Sequence, residues 1–153
     1  MAAKQKISAL EDHAGYWLRS VSNHVSHAFA RKLAAKDTTV AEWVLLRLLY
    51  DQETFAPSLI AGQMGMTKGA ITKLVDRLMA KSLVVRTAST DDGRAQKISL
   101  TEKGKKLVPV LAALADQNDQ ECFARLPAKD REVLQRILHD LASQFSITSI
   151  PTE

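Results

Sequence analysis

Apolar residues recur every three or four positions through most of this chain, and the places where that rhythm fails mark its organisation. The first periodic stretch runs from about Ser8 to Lys36, where Leu10, Ala14, Trp17, Leu18, Val21, Val25, Phe29 and Leu33 form one stripe. No glycine or proline interrupts it after Gly15, so the pattern predicts one helix of roughly 40 Å. A chain of 153 residues cannot wrap such a helix completely, and part of the stripe is expected to meet a partner. Thr39 and Glu42 have capping-box spacing, in which hydroxyl and carboxylate satisfy each other's backbone N–H groups. Trp43, Leu46, Leu49 and Tyr50 then continue as a second helix. Asp51 to Thr54 is a polar break, after which Pro57 suits the first turn of a third helix bearing Leu59, Ile60 and Met64.

The stretch from Gly62 to Gly65 ends that short helix, with Gly65 placed for a left-handed turn. Thr67 caps a fourth helix whose inner face is Ile71, Leu74, Val75 and Leu78 and whose outer face carries Lys68, Thr72, Lys73 and Asp76. A short helix, a glycine-containing turn and a helix with small and basic residues facing outward form a helix-turn-helix, and the major groove of DNA admits one helix of this size. The rhythm then switches from helical to strand-like. Leu83–Val85 and Lys97–Leu100 flank a run rich in turn formers, and Asp92-Gly93 is a strong hairpin signal. A β-hairpin directly after a recognition helix reads as a wing.

Helical periodicity resumes after Thr101. Leu107, Val108, Leu111, Leu114 and Ala115 mark a fifth helix to about Phe123, which Pro109 should kink unless the helix starts later. Pro127 opens a sixth, with Val133, Leu134, Ile137, Leu138, Leu141 and Phe145 on one side, and Ile147 and Ile150 give the tail the apolar character to pack. The fold class is therefore mainly α with a small β-hairpin wing. It comprises a winged helix-turn-helix over residues 37–100, centred on 54–100, between dimerisation helices over 1–36 and 101–153. The end helices have apolar stripes and no second sheet to cover, so the simplest packing joins them to the same helices of a second copy.

Overall charge adds little: 21 Lys and Arg against 17 Asp and Glu. Its distribution adds more. From Gly62 to Lys106 there are ten basic and four acidic residues, whereas the remainder carries eleven and thirteen. That localised excess fits a nucleic-acid footprint. A single cysteine, Cys122, excludes an intramolecular disulfide. No signal peptide or apolar run of membrane-spanning length is evident, so a cytoplasmic location without membrane contact is expected.

The ordered series Met66-Thr-Lys-Gly-Ala-Ile-Thr-Lys-Leu-Val-Asp-Arg-Leu78, Leu83-Val-Val-Arg86, Asp92-Gly-Arg94 and Leu100-Thr-Glu-Lys-Gly104 resembles the MarR family of bacterial transcriptional regulators. The aspartate and arginine two apart, followed by a strand and a helix start, are similar to the family's wing signature. The resemblance implies a triangular dimer binding duplex DNA at a pseudo-palindromic operator. It implies major-groove roles for Thr67, Lys68, Thr72 and Lys73, a minor-groove role for Arg94, and wing stabilisation by Asp92. Arg77 and Arg86 would support the wing or touch phosphate. Gly69 and Ala70 depart from the larger or hydroxylated residues common there, which leaves base reading to Lys68, Thr72 and Lys73. Control by a small phenolic or other aromatic ligand is also implied, most often through release of a repressor.

Other chemistry is less well supported by the residues. Trp17 is a candidate for an effector pocket, with core packing as its alternative. His24 and His27 are three apart and His13 and His139 lie elsewhere, but no local Glu or Cys completes metal-ligand spacing. Cys122 beside Glu121 is a poor thiolate site, although Arg125 is near. A redox- or metal-responsive variant, or a regulator acting through protein contacts, remains the alternative. Ser26 and His27 lack an acid partner and a nucleophile elbow, and there is no phosphate-binding glycine loop, so neither an enzyme nor a cofactor is expected.

Overall fold

A computed structural model describes residues 7–52, 54–88 and 95–153. Six helices surround a small hairpin: α1 Ala14–Ala34, α2 Val40–Asp51, α3 Pro57–Met64, α4 Lys68–Ala80, β1 Val84–Ala88, β2 Gln96–Leu100, α5 Glu102–Phe123 and α6 Ala128–Gln144. Mainly α with an antiparallel two-stranded wing is the class the periodicity predicted. The first helix is shorter than expected at both ends. His13 adopts an extended backbone (φ −102°, ψ 125°), separating a 3-10 turn at Leu10–Asp12 from α1. That turn has its own partners: the Asp12 carboxylate accepts from the Ala9 N–H at 2.8 Å, and the Trp17 indole donates to the Glu11 carbonyl at 2.9 Å.

In the hairpin, Val84 faces Leu100 and Ala88 faces Gln96. A third segment joins its edge. Phe55 and Ile98 exchange both backbone hydrogen bonds, at 3.0 and 2.9 Å, so the polar break after α2 ends in one residue of sheet. Phe55 and Ile98 are buried with Leu45, Leu46 and Leu49 of α2, Ile60 and Met64 of α3, and the inner face of α4. This core closes only with help from outside residues 37–100, because Leu33 of α1 and Val108 and Leu111 of α5 are part of it.

Helix ends are settled by local chemistry. Gly65 takes the left-handed conformation (φ 60°), and the Met66 N–H reaches back to the Ala61 carbonyl at 3.0 Å, ending α3 as its position suggested. Ser82 does the same for α4 at φ 58°, with the Leu83 N–H on the Leu78 carbonyl at 2.9 Å. The α5 cap is Thr101, whose hydroxyl accepts from the Gly104 N–H at 3.0 Å, so the helix starts there and runs through Pro109. Gly104 is buried because its Cα lies against the Leu83 carbonyl; a Cβ there would come within 2.2 Å of that oxygen. The same carbonyl accepts the Thr101 N–H at 3.1 Å.

Along their length α1 and α5 are joined by a polar brace. Buried Asn118 donates to the Val25 carbonyl at 3.2 Å and accepts from Lys32 at 3.1 Å, and Lys32 also pairs with Glu121 at 2.6 Å. The hydrogen bond from Lys32, aided by Gln117, holds the Glu121 carboxyl below its ordinary range, so this link persists as pH falls until the lowered value is passed. By contrast, none of the residues of α6 is buried. Its Ile137, Leu138 and the following Phe145 are exposed, as are Trp17, Leu18 and Val21 of α1.

Gly104→Ala should destabilise the fold by about 1–3 kcal/mol, because a backbone oxygen cannot swing aside as a side chain does. Gly69→Ala, where a Cβ meets nothing within 4 Å, should be neutral or stabilising by up to about 1 kcal/mol. Urea unfolding of the two variants checks this; equal midpoints would contradict it.

Candidate nucleic-acid interface

The surface built around α4 follows from how its two ends are held. At the start, the Thr67 hydroxyl accepts from the Ala70 N–H at 3.2 Å. Along the middle, Ile71, Leu74, Val75 and Leu78 are fully buried, which fixes the rotation of the helix about its axis. At the far end, Lys81 reaches 3.0 Å to the carboxylate of Glu42, which is itself buried, and also meets the backbone carbonyl and carboxylate of Asp37. Glu42 meanwhile accepts the Thr39 N–H at 3.0 Å and donates its own N–H to the Thr39 hydroxyl at 3.2 Å, so the capping box is formed as its spacing predicted. One carboxylate thus caps α2 and anchors α4.

With that rotation, Thr67, Lys68, Thr72, Lys73 and Arg77 all lie on the exposed side of α4. Thr72 turns its hydroxyl back to the Lys68 carbonyl at 3.0 Å, leaving its methyl group and oxygen lone pairs outward. Nothing lies within 4 Å of a Cβ built on Gly69, so the start of the helix presents bare backbone. Arg86 stands apart from this group. It is half-buried on β1 and meets Asp76 of α4 at 3.1 Å, so its guanidinium braces the wing against the helix. Asp92 and Arg94 lie outside the described residues.

The electrostatics follow from these pairings. Asp76 is engaged by Arg86 and Glu102 by Lys105 at 3.1 Å. Among the described residues, no carboxylate pairs with Lys68, Lys73 or Arg77. Their charge therefore projects into solvent from one helix face. The Asp76–Arg86 and Glu42–Lys81 pairs were not read from the sequence. Glu42 was identified only as a cap, and Lys81 lies 39 residues away with no periodic signal joining them.

Trp17 sits on the exposed stripe of α1, distant in sequence from α4. A different aromatic pair, Phe29 and Trp43, meets edge to face with ring centres 6.4 Å apart. The pair lines a crevice of about 290 Å³ with Ser26, Val40, Val44, Ile150, Pro151 and Glu153. Cys122 is half-buried and free. Among the described residues, no group of three or more His, Cys, Asp or Glu side chains is arranged to hold a metal, and no helix is long and apolar enough to cross a membrane.

A helix-turn-helix set against a hairpin, with cations on the outer side of α4 that meet no carboxylate among the described residues, is the arrangement of a winged helix-turn-helix DNA-binding transcriptional regulator. Comparison with known proteins agrees. A family model described as MarR family matches residues 38–95. CouR from Rhodococcus jostii RHA1, solved with p-coumaroyl-CoA bound, is similar over 95% of this chain and 100% of its own, at 29% identity and a TM-score of 0.77. The Staphylococcus aureus MepR–DNA complex is similar over 86% of this chain and 98% of its own, at 25% identity and a TM-score of 0.75. The transcriptional repressor IacR of Pseudomonas putida is 27% identical, covering 84% of this chain and 77% of its own length. The fold is the one these regulators share, and residues 38–95 match the MarR family model.

Glu42→Ala removes a cap and leaves Lys81 without its buried partner, and should cost about 2–4 kcal/mol of stability. Glu102→Ala, at an exposed ion pair, should cost at most about 1 kcal/mol. Chemical unfolding of both variants is the check, and equal losses would show that Glu42 is not an anchor.

Proposed function

We propose that the chain is a homodimeric, sequence-specific repressor that binds a pseudo-palindromic operator and is released by a small aromatic ligand. The observation that carries the DNA reading is the set of cations Lys68, Lys73 and Arg77, which pair with no carboxylate among the described residues, on the outer face of a helix whose rotation is locked by its buried side. In this reading Lys73 and Lys68 donate to guanine edges or phosphate, and Thr67 and Thr72 contact phosphate or a thymine methyl. Arg77 adds a phosphate contact, and Arg86 positions the wing through Asp76. Arg94 enters the minor groove from the wing, which Asp92 helps to hold.

The dimer is supported by the exposed apolar residues at both ends of the chain. Trp17, Leu18 and Val21 of α1 and Ile137 and Leu138 of α6 form surfaces that a monomer leaves wet. Pairing them about a two-fold axis would put two α4 helices about 34 Å apart, one turn of DNA. The name IacR carries the description repressor, and the MepR structure contains DNA. For the ligand, the Phe29–Trp43 crevice offers an edge-to-face pair and an opening suited to a single ring. The CouR structure holds a coumaroyl thioester. Trp17, about 18 Å along α1 from Phe29, belongs in this reading to the dimer surface.

Fluorescence anisotropy with fragments of the protein's own promoter, in a salt series, tests the proposal. A palindromic fragment should bind tightly, and Lys73→Ala should lower the slope of log affinity against log salt by about 0.9 if that lysine neutralises a phosphate. Arg94→Ala should weaken binding with the melting temperature and dimer mass unchanged. Equal affinity for unrelated fragments would overturn sequence-specific recognition.

A further inference from the structure

The chain does not end at α6. Ser146 turns left-handed (φ 52°), the Ile147 N–H returns to the Ala142 carbonyl at 2.9 Å, and the following residues run back to the DNA-binding half. There the Ile150 N–H donates to the Gln63 carbonyl at 3.0 Å. Gln63 is in the last turn of α3, where carbonyls lack partners within the helix, so the tail supplies a donor that the helix cannot. One residue earlier, the Ser149 Cβ lies 3.1 Å from the place a Cβ would occupy on Gly65, the turn between α3 and α4. One residue later, Pro151 joins Ile150 in the wall of the Phe29–Trp43 crevice. Ile150 also packs against the main core. Three consecutive residues therefore touch both the turn that leads into the reading helix and the crevice between α1 and α2.

We propose that residues 149–151 are a strap that transmits the state of this crevice to the helix-turn-helix. An occupant larger than the crevice must displace Ile150 and Pro151. Moving them withdraws the donor from Gln63 and the packing from Gly65, which loosens the entry to α4. The proposal rests on the ligand-release reading for its biological use, but the mechanical link stands on these contacts alone.

Hydrogen exchange of the DNA-free, full-length protein tests the link. In the parent chain the Ile150 amide should be protected. Ile150→Asp, and separately a chain ending at Thr148, should speed exchange of amides 64–70 by about fivefold, the equivalent of one hydrogen bond. Ser26→Phe, which fills the crevice without any ligand, should have the same effect in the full chain and none in the shortened one. Ile150→Val should behave as the parent. In a Trp17→Phe background, Trp43 emission should shift to longer wavelength when the strap is released. An unprotected Ile150 amide, unchanged exchange at 64–70 after strap removal, or an equal Ser26→Phe effect in both chain lengths would each overturn the proposal. Because no DNA is present, failure here is distinct from failure to find an operator.

Discussion

A buried carboxylate ties the start of α2 to the end of α4. Glu42 sits where α2 begins, and it is satisfied from two sides: the Thr39 backbone on its own helix and the Lys81 ammonium at the end of α4. Each interaction alone is ordinary. Combined, they mean that α4 cannot slide along its axis without stranding a charge in the core, a cost larger than that of any surface pair. The buried stripe of α4 sets its rotation, and this ion pair sets its translation. The wing inherits both constraints, because the chain passes from Lys81 through a left-handed Ser82 directly into β1.

The protein divides its apolar surface between two uses. The centre of the chain spends its apolar side chains on a closed core that needs Leu33 from one side and Leu111 from the other. The outer turns of α1 keep theirs exposed, as does α6 at Val133, Ile137 and Leu138. Because Leu33 and Trp17 lie on the same helix, α1 is at once a wall of the central core and a carrier of exposed apolar surface. A rigid helix shared between these surfaces passes any change of angle from one to the other, and the Asn118–Lys32–Glu121 brace fixes α5 to it in the same way.

Local rules made much of this legible. The helices of the centre, the capping box, the left-handed Gly65, the hairpin and the inner face of α4 all follow from spacing within a few residues. What stayed hidden depends on distance along the chain. Phe55 reads as the end of a polar loop until Ile98 is placed beside it. Lys81 reads as a solvated lysine until Glu42 is found beneath it, and Asn118 reads as a polar position on a helix until Val25 and Lys32 surround it. The break at His13 is hidden in the sequence because apolar periodicity continues through it, while Asp12 and the indole of Trp17 give the backbone a local alternative. Of the residues the sequence singles out for DNA contact, Thr67, Lys68, Thr72, Lys73 and Arg77 share one exposed helix side, while Arg86 is committed to Asp76.

Gly104 carries a consequence for how α4 is presented. The junction of wing and α5 is first a contact between two backbones, the Leu83 carbonyl and the helix at Gly104, with the Leu100 side chain beside it. Its closest approach is set by atomic radii and not by the identity of neighbouring side chains. The open outer position at Gly69 can then accept a side chain without altering the angle at which the helix is presented. The angle at which the outer face of α4 is held is thereby independent of which side chains that face carries.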